Sequence, residues 1–180
     1  IAKSTHHING TVVNFSTEYV FDGKKESGYK EDDQPIPINN YGRSKLLGEQ
    51  LIQDSTNKFY IISMSRLFGN PGISEHSKKS FVDVMLDTAK EKNELSLVND
   101  EISSPTYAHD AVKSLESILA KNLPFGIYHI TNSGQCNWYE FALEIFSLCK
   151  KINPRLKIPS LKQVSSNEFK RKVMRPKFSV

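Results

Sequence analysis

The chain predicts an α/β fold built on a mostly parallel sheet. Three observations carry that expectation. Strand-like and helix-like segments alternate along the chain, which favours strands joined by crossover helices. The segment Thr11–Thr17 is apolar at Val12, Val13 and Phe15, on both faces, as a central parallel strand would be. The 180 residues, 38% hydrophobic and 24% charged, have the composition of an ordinary globular chain with enough length to bury a core.

Each element follows from local chemistry. The first residues, Ile1 to His7, resemble the tail of a helix, and Gly10 stands where that helix would end. The chain opens on Ile1 and passes almost directly into a strand, so it is expected to be the later part of a longer chain. The strand Thr11–Thr17 ends at Ser16-Thr17. Residues 22–37 hold Gly, Asp and Pro with little periodicity and read as a long loop. Asn39 or Asn40 can cap a helix to about Asp54, with Leu46, Leu47, Leu51 and Ile52 expected inward.

Phe59 to Leu67 reads as a second strand, and Phe68 to Gly72 as a turn leading away from it. Phe81 to Lys92 has helical apolar spacing, and Leu95–Val98 is a short strand. Pro105 keeps Ser104–Tyr107 extended. Helix His109–Lys121, strand Gly126–Thr131 and helix Asn137–Lys150 complete the pattern. Beyond about Asn70 the elements shorten and the loops lengthen. The chain is therefore expected to divide into residues 1–70, belonging to the sheet, and residues 71–180, mostly a smaller lobe with elements returning to the sheet.

Composition excludes several function classes. The net charge of +4 is mild, and basic residues cluster only at Lys170, Arg171, Lys172, Arg175 and Lys177. That cluster reads either as a solvated tail or as an anion site for a phosphorylated small molecule. No stripe of interleaved aromatics accompanies it, so nucleic acid is not an expected partner. Cys136 and Cys149 are too few for a metal knuckle or a disulfide framework, and His6-His7 lacks a third ligand. No metal is expected. With no disulfide framework, a reduced, cytoplasmic setting is expected, and no apolar run approaches the ~20 residues of a membrane span.

Two segments carry chemistry. Val12–Gly23 delivers Ser16 and Thr17 to the carboxyl end of a parallel strand, the edge where open α/β sheets bind ligands. Asn39–Glu49 is a helix with Tyr41 and Lys45 four apart, on one face. A phenol, with an ordinary pKa near ~10, releases a proton more readily when an ammonium stands close. Tyr41 could then act as general acid toward a carbonyl oxygen that a strand-end hydroxyl also polarises. Y-x-x-x-K alone is a weak signal; the preceding strand end supplies the context that gives it meaning. Among other candidates, His109-Asp110 reads as a helix start, His129 as a strand histidine, Trp138 with Tyr139 and Phe141 as core, and Glu31-Asp32-Asp33 as a solvated loop edge.

At these residues the chain resembles the extended short-chain dehydrogenase/reductase superfamily, and within it the dTDP-4-dehydrorhamnose reductase family. The resemblance lies in Ser16-Thr17-Glu18-Tyr19-Val20-Phe21-Asp22-Gly23 and in Pro37-Ile38-Asn39-Asn40-Tyr41-Gly42-Arg43-Ser44-Lys45-Leu46-Leu47-Gly48-Glu49. It continues through Pro105-Thr106-Tyr107, Gly126–Ile130, Trp138–Ala142 and Arg175-Pro176-x-x-Ser179. Glu18 stands where the family carries Asp, Ser63 where it carries Arg, and Arg66 where it carries Trp.

The resemblance implies the later half of a Rossmann-like, doubly wound sheet with a smaller C-terminal substrate-binding lobe. It implies a catalytic set of Thr17, Tyr41 and Lys45. It implies that Ser16, Tyr41, Lys45, Arg66 and Leu67 hold NADPH or NADH, and that Thr17, Tyr19, Thr106, Tyr107 and Arg175 meet a dTDP-sugar. The reaction implied is reduction of the 4-keto group of dTDP-4-dehydro-L-rhamnose. The superfamily's glycine-rich phosphate loop is absent from these residues, so the isolated chain is expected to bind dinucleotide poorly. A homodimer stays open. Two other readings remain beside this one: a nucleotide-sugar epimerase or dehydratase, and a non-catalytic regulatory subunit resembling the methionine adenosyltransferase β subunit.

Overall fold

The computed structural model describes residues 1–75 and 77–179. A short helix α1 (Ala2–His7) leads into strand β1 (Val12–Thr17), a 3-10 turn (Glu18–Val20) and helix α2 (Asn40–Gln53). Strands β2 (Phe59–Met64) and β3 (Leu67–Phe68), helix α3 (Phe81–Glu91) and strands β4 (Glu94–Val98), β5 (Ile102–Ser103) and β6 (Thr106–Tyr107) follow. Helix α4 (Ala108–Ala120), strands β7 (Gly126–His129) and β8 (Cys136–Asn137), helix α5 (Trp138–Ile152) and strands β9 (Ser160–Val164) and β10 (Phe178–Ser179) complete the chain.

The main sheet has the order β1-β2-β7, all parallel. Helix α4 packs on one of its faces, where Tyr60, Ile62, Ala111, Ile118 and Ile130 form a buried cluster. On the other face α2 lies against β1, with the Ser16 hydroxyl donating to the Glu49 carboxylate. Helices on both faces of a parallel sheet make the fold doubly wound, as expected. A second cluster holds Met85, Leu95, Leu97, Ala142, Ile145 and Phe146, where α3 and α5 cover the parallel pair β4–β9. Each fully buried aliphatic side chain in these clusters contributes about 1.5–3 kcal/mol.

Four expectations are corrected. Strand β1 is an edge strand among the described residues rather than a central one, and Val13 and Phe15 are exposed. They share the face of their register partners Tyr60 and Ile62, but α4 covers only β2 and β7 there. In α2 the inward positions are Gly42 and Glu49, while Leu47 and Leu51 face out. The strand from Phe59 stops at Met64, because Arg66 adopts a left-handed φ of 39° and re-aims the chain into β3. Strand β7 stops at His129 rather than Thr131.

Candidate functional site

The site begins with the cap of each element. Thr17 ends β1 and caps the 3-10 turn: its Oγ1 accepts the Tyr19 N–H at 3.3 Å. Asn39 caps α2, its Oδ1 accepting the Gly42 N–H at 2.8 Å. The Asn39 amide also donates to the Met174 carbonyl at 3.0 Å, which ties the C-terminal segment to the start of α2. Gly42 lets α2 settle onto the 3-10 turn: a Cβ there would lie 2.9 Å from the Tyr19 carbonyl carbon. Gly23, at φ 73°, does the same for the C-terminal segment, since its carbonyl accepts the Phe178 N–H at 3.1 Å and Pro176 packs against its Cα.

Beside these contacts an open pocket of about 410 Å³ lies at the carboxyl end of β1. Thr17, Glu18, Tyr19, Tyr41, Arg66 and Arg175 line it, with Ser16, Met64, Leu67 and Trp138. Thr17 is buried, whereas Tyr41 is 52% exposed and stands edge-on to the Tyr19 ring at 5.6 Å between centroids. Lys45 donates to the Phe15 main-chain carbonyl at 2.5 Å and lies near the Glu49 charge. An ammonium carries three donors, and the Phe15 carbonyl takes one.

Arg66 forms the back wall. Its guanidinium lies over the Trp138 ring at 3.8 Å and donates to the Glu101 carbonyl at 2.7 Å and the Cys136 carbonyl at 3.3 Å. Burial lowers it to about 10. The Trp138 Nε1 donates to the Glu101 carboxylate at 3.0 Å, and Arg171 pairs with the other oxygen of that carboxylate. Burial raises Glu18 to about 7, against the hydrogen bond from Thr17 and the charge of Arg66. Tyr19 is pushed up by burial, which the Arg175 charge opposes.

The structure brings together six of the expected site residues besides Ser16: Thr17, Tyr19, Tyr41, Arg66, Leu67 and Arg175. Ser16 touches the pocket but spends its hydroxyl on Glu49. Thr106 lies outside it, 1% exposed, with its hydroxyl donating to the Ser65 carbonyl at 2.6 Å. Tyr107 also lies outside; its ring packs on Phe68 and its N–H donates to Asn132 at 2.6 Å. Trp138 is a pocket wall rather than only core, while Phe141 packs in the core as expected. Glu31 is more than a solvated loop edge, since it accepts the His129 N–H at 3.0 Å.

The basic cluster is split. Lys170, Arg171, Arg175 and Lys177 line a cleft of about 540 Å³ with Asp100 and Glu101, and Arg175 joins it to the Thr17 pocket. Glu49 and Glu101 were missed from sequence. Glu49 could have been found, because it follows Lys45 by one helical turn on the same face; Glu101 left no local signal. Among the described residues no group of three or more His, Cys, Asp and Glu could hold a metal, and no helix is long and apolar enough to cross a membrane.

The family model for the RmlD substrate binding domain matches residues 1–180. The spore coat polysaccharide biosynthesis protein SpsK of Bacillus subtilis is 39% identical over 179 residues, 99% of this chain and 58% of that protein. The dTDP-4-dehydrorhamnose reductase of Escherichia coli K12 is 31% identical over 180 residues, 98% of this chain and 58% of that protein. The crystal structure of a Bacillus anthracis dTDP-4-dehydrorhamnose reductase in complex with NADP superposes with a TM-score of 0.89 at 37% identity, over 99% of this chain and 59% of that one. The chain thus spans somewhat under two thirds of the length of these relatives. With its whole length matched, the chain belongs to the RmlD substrate-binding-domain family.

Proposed function

We propose that this chain carries the proton-transfer and sugar-binding part of an NAD(P)H-dependent reductase acting on the 4-keto group of dTDP-4-dehydro-L-rhamnose, with dTDP-L-rhamnose as product. The observation that carries the reading is the meeting of Thr17 and Tyr41 around one pocket at the carboxyl end of β1, with Lys45 one turn along α2. The relatives' names give the reaction class and the sugar.

The donor set fits a nicotinamide cofactor: Tyr41 and Lys45 share a face of α2, and Lys45 keeps donors for a ribose hydroxyl. When bound, the reduced cofactor supplies the hydride that goes to the carbonyl carbon. Tyr41 gives its phenolic proton to the carbonyl oxygen and, half-exposed, recovers one from water. Thr17 hydrogen-bonds the same oxygen and polarises it. Arg175, at the mouth between the two cavities, suits the diphosphate by its planar fork of donors. Residues 1–70 would seat the cofactor and residues 71–180 mostly the sugar. The reading carries a cytoplasmic setting, and light scattering on the protein in solution would decide whether it forms a homodimer.

Glu18 favours a second reading. A carboxyl raised to about 7 beside Thr17 is equipped for acid/base work, as a dehydratase or epimerase needs. Those reactions return the cofactor to its starting state; reduction consumes it. The full-length protein is therefore incubated with dTDP-4-keto-6-deoxy sugar while NADPH absorbance is followed. Stoichiometric oxidation is expected, and Tyr41→Phe should slow it by about 10²–10⁴-fold. A folded wild-type protein that turns the sugar over without net NADPH loss sinks the reductase reading, and an unimpaired Tyr41→Phe sinks the assigned role.

A further inference from the structure

Glu18 is the one carboxylate among the described residues lining the Thr17 pocket, and it touches the hydroxyl that is to polarise the ketone. Thr17 Oγ1 accepts the Tyr19 N–H at 3.3 Å and gives its proton to Glu18 Oε2 at 2.9 Å. A hydroxyl has one proton to donate and two lone pairs. An ionised carboxylate only accepts, so it holds that proton, and Thr17 then has none to offer a ligand. A protonated carboxyl can donate to the remaining Thr17 lone pair, which frees the Thr17 proton to point into the pocket. The chain cannot satisfy both arrangements at once.

We propose that Glu18 is a positioning residue acting through Thr17: its protonation turns the Thr17 hydroxyl from the carboxylate toward the sugar's carbonyl oxygen, so that reduction weakens as Glu18 ionises. The proposal rests on the reductase reading. The groups facing Glu18 are Ser65 and Arg66 from the turn after β2, and Thr17 and Tyr19 from its own segment. Glu101 and Cys136 stand behind Arg66, and Arg175 faces Tyr19 from the C-terminal segment. Arg66 is held by two main-chain carbonyls and the Trp138 ring, so its charge stays in place while Glu18 titrates. Burial outweighs that charge and the hydrogen bonds, and brings the Glu18 titration to about 7. The switch therefore lies in the neutral range. The carboxylate takes up one proton from solvent as the switch turns and returns it when Glu18 ionises, and with it the direction of the Thr17–Glu18 hydrogen bond reverses.

The test is the pH profile of single-turnover NADPH oxidation by the full-length protein between about pH 6 and about pH 9, in wild type, Glu18→Gln and Glu18→Asp. The Gln amide does not titrate, so its hydrogen bond with Thr17 is the same at every pH. The wild-type rate is expected to fall about tenfold per pH unit above its break, and the ratio of Glu18→Gln to wild type to rise by the same factor. Glu18→Asp, which keeps a carboxyl on a shorter stem, should retain a break at a shifted pH. A Glu18→Gln profile parallel to wild type overturns the switch, whether its rates are equal or uniformly lower, since a merely structural role would leave the break in place. Should Glu18→Gln fail to fold, a Glu18→Asp break at the wild-type pH overturns it instead. A folded wild type that oxidises no NADPH removes the reductase reading and this proposal with it.

Discussion

Gly42→Ala tests the closest packing in the site. Gly42 follows Tyr41 in α2 and lies directly on the main chain of the 3-10 turn that Thr17 caps. A methyl carbon there would stand 2.9 Å from the Tyr19 carbonyl carbon, 3.0 Å from Pro37 Cβ and closer still to the Tyr19 carbonyl oxygen. Ordinary carbon–carbon contact is about 3.5–4.0 Å, so helix and turn must part by roughly 1 Å. Both neighbours are backbone or a rigid ring, and neither can swing aside. Alanine in mid-helix returns about 1 kcal/mol over glycine, whereas overpacking costs about 1–3 kcal/mol. The balance is a loss of up to about 2 kcal/mol, or a fall in Tm of up to about 8 °C at this chain length. The effect on rate should be larger. A displacement of about 1 Å between Tyr41 and Thr17 costs on the order of 10²-fold. Gly48→Ala is the control, since its methyl meets nothing within 4 Å and should stabilise the same helix by about 1 kcal/mol. Thermal unfolding by circular dichroism and single-turnover NADPH oxidation read both effects. If Gly42→Ala gains stability and keeps its rate as Gly48→Ala does, the close approach does not govern the site.

Two further perturbations address stability. Asn39→Ala removes the α2 cap and the tie to Met174, both from a buried side chain. It should cost about 1–2 kcal/mol in chemical denaturation and raise KM for the dTDP-sugar through the loosened Arg175 segment, so an unchanged KM would count against that coupling. Glu18 should make stability depend on pH. Its folded value of about 7 lies above the ordinary 4.5, so its contribution is fully present below pH 4.5 and is lost as pH rises through 7. Glu18→Gln should therefore gain on wild type across that window, by at most about 3 kcal/mol, and equal melting curves at every pH would refute the burial argument.

Much of this site was legible in the chain. The end of β1 at Thr17, the Asn39 cap and the Tyr41–Lys45 spacing are local features, set by hydrogen bonds and side-chain periodicity within one turn or one strand. The parts that were not legible depend on distant partners. Strand β9 went unread because its pairing residues in β4 lie far off in the chain, and β10 pairs β5 across a similar gap. The strand read to Leu67 breaks at Arg66, whose backbone is held left-handed while its side chain reaches Trp138, Glu101 and Cys136. Leu47 and Leu51 looked inward by helical spacing, yet the helix turns its glycine to the 3-10 turn and its buried glutamate to the sheet instead.

The sequence by itself determined which groups are on offer: a hydroxyl at a strand end, a phenol and an ammonium one helical turn apart, and an α/β frame to hold them. Residue type and short spacing suffice for that. Only the tertiary structure decided which of the named residues share a pocket. It spent the Ser16 hydroxyl on Glu49 and the Thr106 hydroxyl on Ser65, brought Arg175 across from the far end of the chain, and set Glu18 against Thr17. The physical reason is that a hydrogen bond or a desolvated charge takes its value from what surrounds it, and those surroundings exist only once distant segments have packed.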